Sequence, residues 1–132
     1  MMIEITNLTS KKIATSFLKK IADEAIKVLG KKELKNISLV LVGDARMKSL
    51  NKKYRGRNRL TDVLSFEGLN EIVICLPQAK RQAKTLKYSL NFELTRLLVH
   101  GIVHLKGYDH EKSAKEAKKM REIEEKILRS LK

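Results

Sequence analysis

DVLSFEGLNEIVICL, residues 62–76, is the stretch whose reading decides the fold. The runs 62–67 and 71–76 are strand-like, and only Gly68, Leu69 and Asn70 separate them. So short a connection predicts an antiparallel hairpin, because a parallel pair needs a long crossover. Upstream, ISLVLVG (37–43) is apolar and rich in β-branched residues, a buried strand, and IEIT (3–6) alternates like a short one. Between them Ile13, Phe17, Leu18, Ile21, Ala25 and Leu29 recur at helical spacing. Thr9 or Ser10 is the expected cap, and Gly30 lies just past the end. Asp44 is read as the cap of a helix through Tyr54. Pro77 suits the first turn of another, running through about Tyr88. FELTRLLVHGIVHL (92–105) predicts a buried central helix. Ser113 and Glu116 form a capping-box pattern ahead of a last helix with Ile123, Ile127 and Leu131 on one face. Helices interleaved with strands and one hairpin imply an α/β or α+β domain with a mixed sheet.

The bulk composition narrows the function classes. With 132 residues the chain is long enough to bury a core without staples. At 42% hydrophobic and 33% charged residues it reads as globular rather than disordered. Cys75 is the single cysteine, which excludes an intramolecular disulfide framework and fits a reducing compartment. The opening MMIEITNLTS has no signal-peptide pattern, and no run of about 18 apolar residues predicts a membrane span. A cytoplasmic protein without a membrane partner is expected. Twenty-nine Lys and Arg against fifteen Asp and Glu give a net charge of +14. Such an excess attracts polyanions, with a merely solvated surface as the bland alternative. Aromatic residues make up only 5%, so phosphate contacts rather than base stacking would dominate RNA binding.

All three histidines fall within HGIVHLKGYDH, residues 100–110. His100 and His104 sit one turn apart on one helix face, close enough to share an ion. Gly107 is able to end the helix in a left-handed conformation and return His110 to the same point. Three imidazoles leave a fourth position open, as in catalytic rather than structural zinc sites. The spacing also matches the metzincin proteases, whose second motif position is a glutamate base. Here that position is Gly101, which disfavours peptide hydrolysis and is expected to leave room beside the ion for a bulkier substrate. Asp109, beside a predicted ligand, has three readings open: orienting an imidazole, acting as a base, or serving the turn. Cys75, without a partner cysteine, reads as a small core residue.

NKKYRGRNRLTDVLSF (51–66) holds Lys52, Lys53, Arg55, Arg57 and Arg59 within eight residues. Alone it reads as a solvated loop. Beside a metal, a guanidinium there could hold a phosphate and stabilise charge developing on it. Lys80, Arg81, Lys84 and Lys87 extend the positive surface.

Together with EIVICLPQAKRQA, these motifs closely resemble the YbeY family of bacterial rRNA maturation factors over roughly residues 37–112. The resemblance implies a single α+β domain over 1–132, a mixed, roughly four-stranded sheet flanked by helices, and a central metal-bearing helix. The metal is expected at the end of a cleft. One Zn²⁺ ion per chain is expected on His100, His104 and His110, with Arg55 as the functionally important arginine. The implied activity is zinc-dependent, single-strand-specific endoribonuclease action in 16S rRNA 3′-end maturation and ribosome quality control. The partners it implies are single-stranded RNA or rRNA and the ribosome or its small-subunit proteins. The chain departs from the family pattern at Glu67, where a proline is usual, and at Asn70-Glu71, where Gly-Asp is usual. Arg55 and Asp109 are the catalytic candidates; the base is open among zinc hydroxide, Asp109 and the RNA 2′-hydroxyl. The rivals are a ribosome-binding factor with a structural zinc and a metal-dependent protease or amidase.

Overall fold

The structure is a computed structural model that describes residues 2–30, 36–106 and 113–131. Its sheet is built from β1 (Met2–Asn7), β2 (Asn36–Val42), β3 (Val63–Phe66) and β4 (Glu71–Cys75), in the order β1-β2-β4-β3. β1 and β4 both run parallel to β2, with Ile5 opposite Leu39 and Val40 opposite Val73. β3 pairs antiparallel with β4, Leu64 facing Val73, so the expected hairpin is present and the sheet is mixed. The hairpin turns through one 3-10 turn at Glu67–Leu69 and then Asn70 at φ +47°. Asparagine tolerates that left-handed conformation better than most side chains, which suits a reversal of four residues, Glu67 to Asn70.

Strand alternation divides the buried residues between two faces. Leu39, Leu41, Ile72 and Ile74 meet α1 (Ser16–Leu29), α4 (Leu90–Leu105) and α5 (Ala114–Ser130) in the larger core. Val73 and Cys75 point the other way and pack with Leu64 and with Met47 of α2 (Asp44–Arg55). α3 (Leu76–Leu86) follows β4 directly and packs beside α4. α4 is enclosed on nearly every side: Leu94, Leu97, Leu98, Val99, Ile102 and Val103 are all buried. It is the central helix the sequence predicts.

α4 meets the sheet directly at Gly101. A Cβ at this position would stand 2.9 Å from Ile72 Cγ2 and 3.1 Å from its Cδ1. Ser65 Oγ on β3 donates a hydrogen bond to the Gly101 carbonyl at 3.2 Å across the same contact. The missing side chain therefore admits β4, and the expectation that it opens space beside an ion is corrected.

Several boundaries also differ from the expectations. α1 begins at Ser16 rather than near residue 11, with Thr15 as an N-cap that makes no side-chain bond. Thr9 is engaged elsewhere: Asn7 Oδ1 accepts from its amide (2.9 Å) and its hydroxyl (2.6 Å), while Asn7 Nδ2 donates to the Lys11 carbonyl. This local side-chain turn competes with helix initiation. Asp44 is the first residue of α2 and Gly43 its cap; the Asp44 carboxylate turns to Arg81 and Cys75 instead. α3 ends at Leu86, where Lys87 takes φ +60°. The expected Gly30 stop, Pro77 in the first turn of α3 and the Ser113 cap, which accepts from the Glu116 amide, are all present. On α5, Ile127 is buried and Ile123 partly so, as is Leu131 just past the helix end. Among the described residues no helix is long and apolar enough to cross a membrane.

The Gly101 contact has a measurable consequence. Overpacking a buried site costs about 1–3 kcal/mol, against about 1 kcal/mol gained when alanine replaces glycine within a helix. Gly101→Ala should lose on the order of 1 kcal/mol in chemical denaturation. The loss should shrink in an Ile72→Ala background, which removes the clashing atoms. Strictly additive effects would disprove the contact.

Candidate active site

Residues four apart on a helix share a face, and on α4 that face carries Arg96, His100 and His104. All three line a cleft of about 470 Å³. Opposite stand Arg55, at the end of α2, and Arg57 and Arg59, in the segment leading to β3. Arg55 is thus the last helical residue rather than part of a loop. Gly56, at φ +67°, ends α2 immediately after it.

The basic segment is fixed at both ends. Asn51 is buried in α2, and its Nδ2 donates to the Arg59 carbonyl at 2.9 Å. At the far end the Asp62 carbonyl accepts from the Cys75 amide at 2.9 Å, tying the segment to β4. The arginines therefore project from an anchored backbone. Other cations of the sequence reading lie elsewhere. Lys53 sits over the Tyr54 ring, and Arg81 pairs with Asp44 at 2.8 Å. Arg81 in turn holds the Asp44 carboxyl below the usual carboxylate range.

His100 Nδ1 lies 3.0 Å from Glu124 Oε1 on α5. A carboxylate in that position orients the ring, leaving Nε2 as the nitrogen through which it would hold an ion. His104 Nδ1 is 3.9 Å from Glu67 Oε1, beyond hydrogen-bond range. The imidazole pair with its carboxylate fits half of a zinc site. His110 and Asp109 lie outside the described residues. Among the described residues no three His, Cys, Asp or Glu side chains gather as a metal cluster. Cys75 is fully buried, and burial, aided by Asp44, pushes its thiol up to about 11, in keeping with a core residue.

Sequence reasoning missed a second cluster. Glu93, on the first turn of α4, is completely buried, yet it is charged and fully occupied. Arg96 donates to it through Nε (2.7 Å) and Nη2 (3.0 Å), Tyr88 through its hydroxyl (2.7 Å), and Gln82 through its amide. Gln82 also donates to Asp62 at 3.3 Å, linking the cluster to the basic segment. Burial pushes the Glu93 carboxyl up, but the bonds from Arg96, Tyr88 and Gln82 outweigh it and hold it below its usual range. The Glu93 pairing raises Arg96 above its own. A Glu-x-x-Arg spacing reads as a surface ion pair, so only packing reveals this one.

Comparison with known proteins points one way. A model of the Endoribonuclease YbeY family matches residues 4–132. A Thermodesulfovibrio yellowstonii protein named Endoribonuclease YbeY is 47% identical, over 92% of this chain and 84% of its own. An Aquifex aeolicus protein of the same name is 40% identical, over 96% and 90%. A Thermotoga maritima protein solved in solution shares the fold with a TM-score of 0.66 and 30% identity, covering 96% of this chain and 86% of that one.

The depressed Glu93 carboxyl contributes stability that is present above the ordinary glutamate range and lost as pH falls through its lowered folded value. Thermal unfolding followed from neutral pH into acid should show Glu93→Gln losing less stability than wild type. Parallel acid curves would remove Glu93 from the acid response.

Proposed function

The chain belongs to the YbeY endoribonuclease family, and from that premise we propose that it is a zinc-dependent endoribonuclease specific for single strands. Its place of action would be the 3′ end of 16S rRNA and ribosome quality control, in the cytoplasm, on RNA carried by the small ribosomal subunit. One observation carries this reading: two histidines at metal-ligand spacing share a cleft with Arg55, Arg57 and Arg59. The net charge of +14 supports a polyanionic substrate.

In this reading His100, His104 and His110 hold the ion, with Glu124 steadying the His100 ring. Zinc so bound supplies Lewis-acid polarisation and a water of lowered pKa. Arg55 grips the scissile phosphate through its planar fork and stabilises the charge that grows on its oxygens. Arg57 and Arg59 draw the strand in and neutralise neighbouring phosphates. No Phe, Tyr or Trp side chain lines the cleft among the described residues, so contacts to the RNA backbone dominate affinity. Asp109 remains a candidate base beside His110, in competition with the 2′-hydroxyl of the RNA.

The test uses zinc-loaded protein and a 5′-labelled single-stranded rRNA fragment. Wild type should cut it. His104→Ala should abolish cleavage, and Arg55→Ala should slow it by about 10²–10³-fold, the usual loss of a charge-stabilising donor. Products ending in a 2′,3′-cyclic phosphate would assign attack to the 2′-hydroxyl, and 5′-phosphate products to water. Tight binding of zinc and RNA without cleavage would favour a ribosome-binding factor. Digestion of a peptide library would favour a protease.

A further inference from the structure

We propose that Arg96 forms a second phosphate subsite on α4, one helical turn before His100, so that the RNA strand runs along this helix. The inference rests on the endoribonuclease reading and adds a residue to it. Arg96, His100 and His104 succeed one another at four-residue intervals, about 6 Å of helix each. That interval suits successive phosphates of an extended single strand. A phosphate at the histidines therefore brings its neighbour to Arg96.

The burial of the ion pair is asymmetric. The Glu93 side chain is 0% exposed, whereas that of Arg96 is 38% exposed and lines the cleft. The carboxylate lies behind and the guanidinium in front, so an approaching anion meets the cation first. Glu93 takes Nε and Nη2, which leaves Nη1 outside the pairing. Because Tyr88 and Gln82 hold the carboxylate in turn, the guanidinium is fixed before any ligand arrives, and little side-chain entropy is lost on binding. Among the described residues Asp62 is the one acidic residue in the cleft lining; it accepts from Gln82 and is outnumbered by Arg55, Arg57, Arg59 and Arg96.

The experiment measures binding of a fluorescent 2′-O-methyl oligouridylate by anisotropy across a salt series, with zinc-loaded protein and the probe checked for integrity. Arg96→Ala would strand a buried carboxylate, so the chosen variant is Glu93→Gln/Arg96→Gln, which removes both charges and retains hydrogen bonding. Its low-salt affinity should fall about tenfold, and its slope of log K against log salt should shrink by about 0.7, one phosphate contact on a single strand. Arg96→Lys keeps the charge but loses the fork. It should retain the wild-type slope and bind severalfold more weakly, and it decides the matter if the double variant does not fold. Wild-type affinity and slope in folded variants would overturn the subsite alone. No binding by the wild type would overturn the endoribonuclease reading and the subsite with it.

Discussion

The close seating of α4 on β4 is the constraint on which the remaining structure depends. Ile72 occupies the space where a side chain at position 101 would stand, and Ser65 ties the same turn of helix to β3. Contact at that point fixes both the depth and the rotation of α4. Rotation is what matters for the cleft, since it decides which helix face looks away from the sheet. With Gly101 turned to Ile72, the Arg96–His100–His104 stripe falls on the cleft wall. A glycine thus sets the position of side chains it never touches.

A second constraint is electrostatic. Burying Glu93 without compensation would be costly, and three donors from α3, the α3–α4 turn and α4 itself supply the compensation. The cluster makes the join between two helices directional, which apolar packing alone does not do. Through Gln82 and Asp62 it also reaches the basic segment, so both walls of the cleft share one polar network.

The hairpin was legible in the sequence because its two runs are separated by too few residues for any other connection. The α4 histidine pair was legible because four-residue spacing has one meaning on a helix. Other features depend on tertiary contact. Glu124 is remote in sequence from His100 and becomes its neighbour only when α5 docks. Glu93 and Arg96 look like an ordinary surface pair until α3 covers the carboxylate. The side of α4 that Gly101 faces cannot be told from the helix alone, and Asn7 displaced the expected caps of α1 by bonding locally. Arg55 reached the cleft as the sequence suggested, though from a helix end. His110 and Asp109 lie outside the described residues.

The buried Asn51 amide that holds Arg59 gives the basic wall a property beyond recognition. Several guanidinium groups are kept close together by a backbone that cannot splay to relieve them. Their mutual repulsion is a standing load on the native state, greatest at low ionic strength. A polyanion that settles in the cleft lifts this load and favours the folded chain over the unfolded one by mass action. Occupancy of the cleft and durability of the fold are therefore thermodynamically linked.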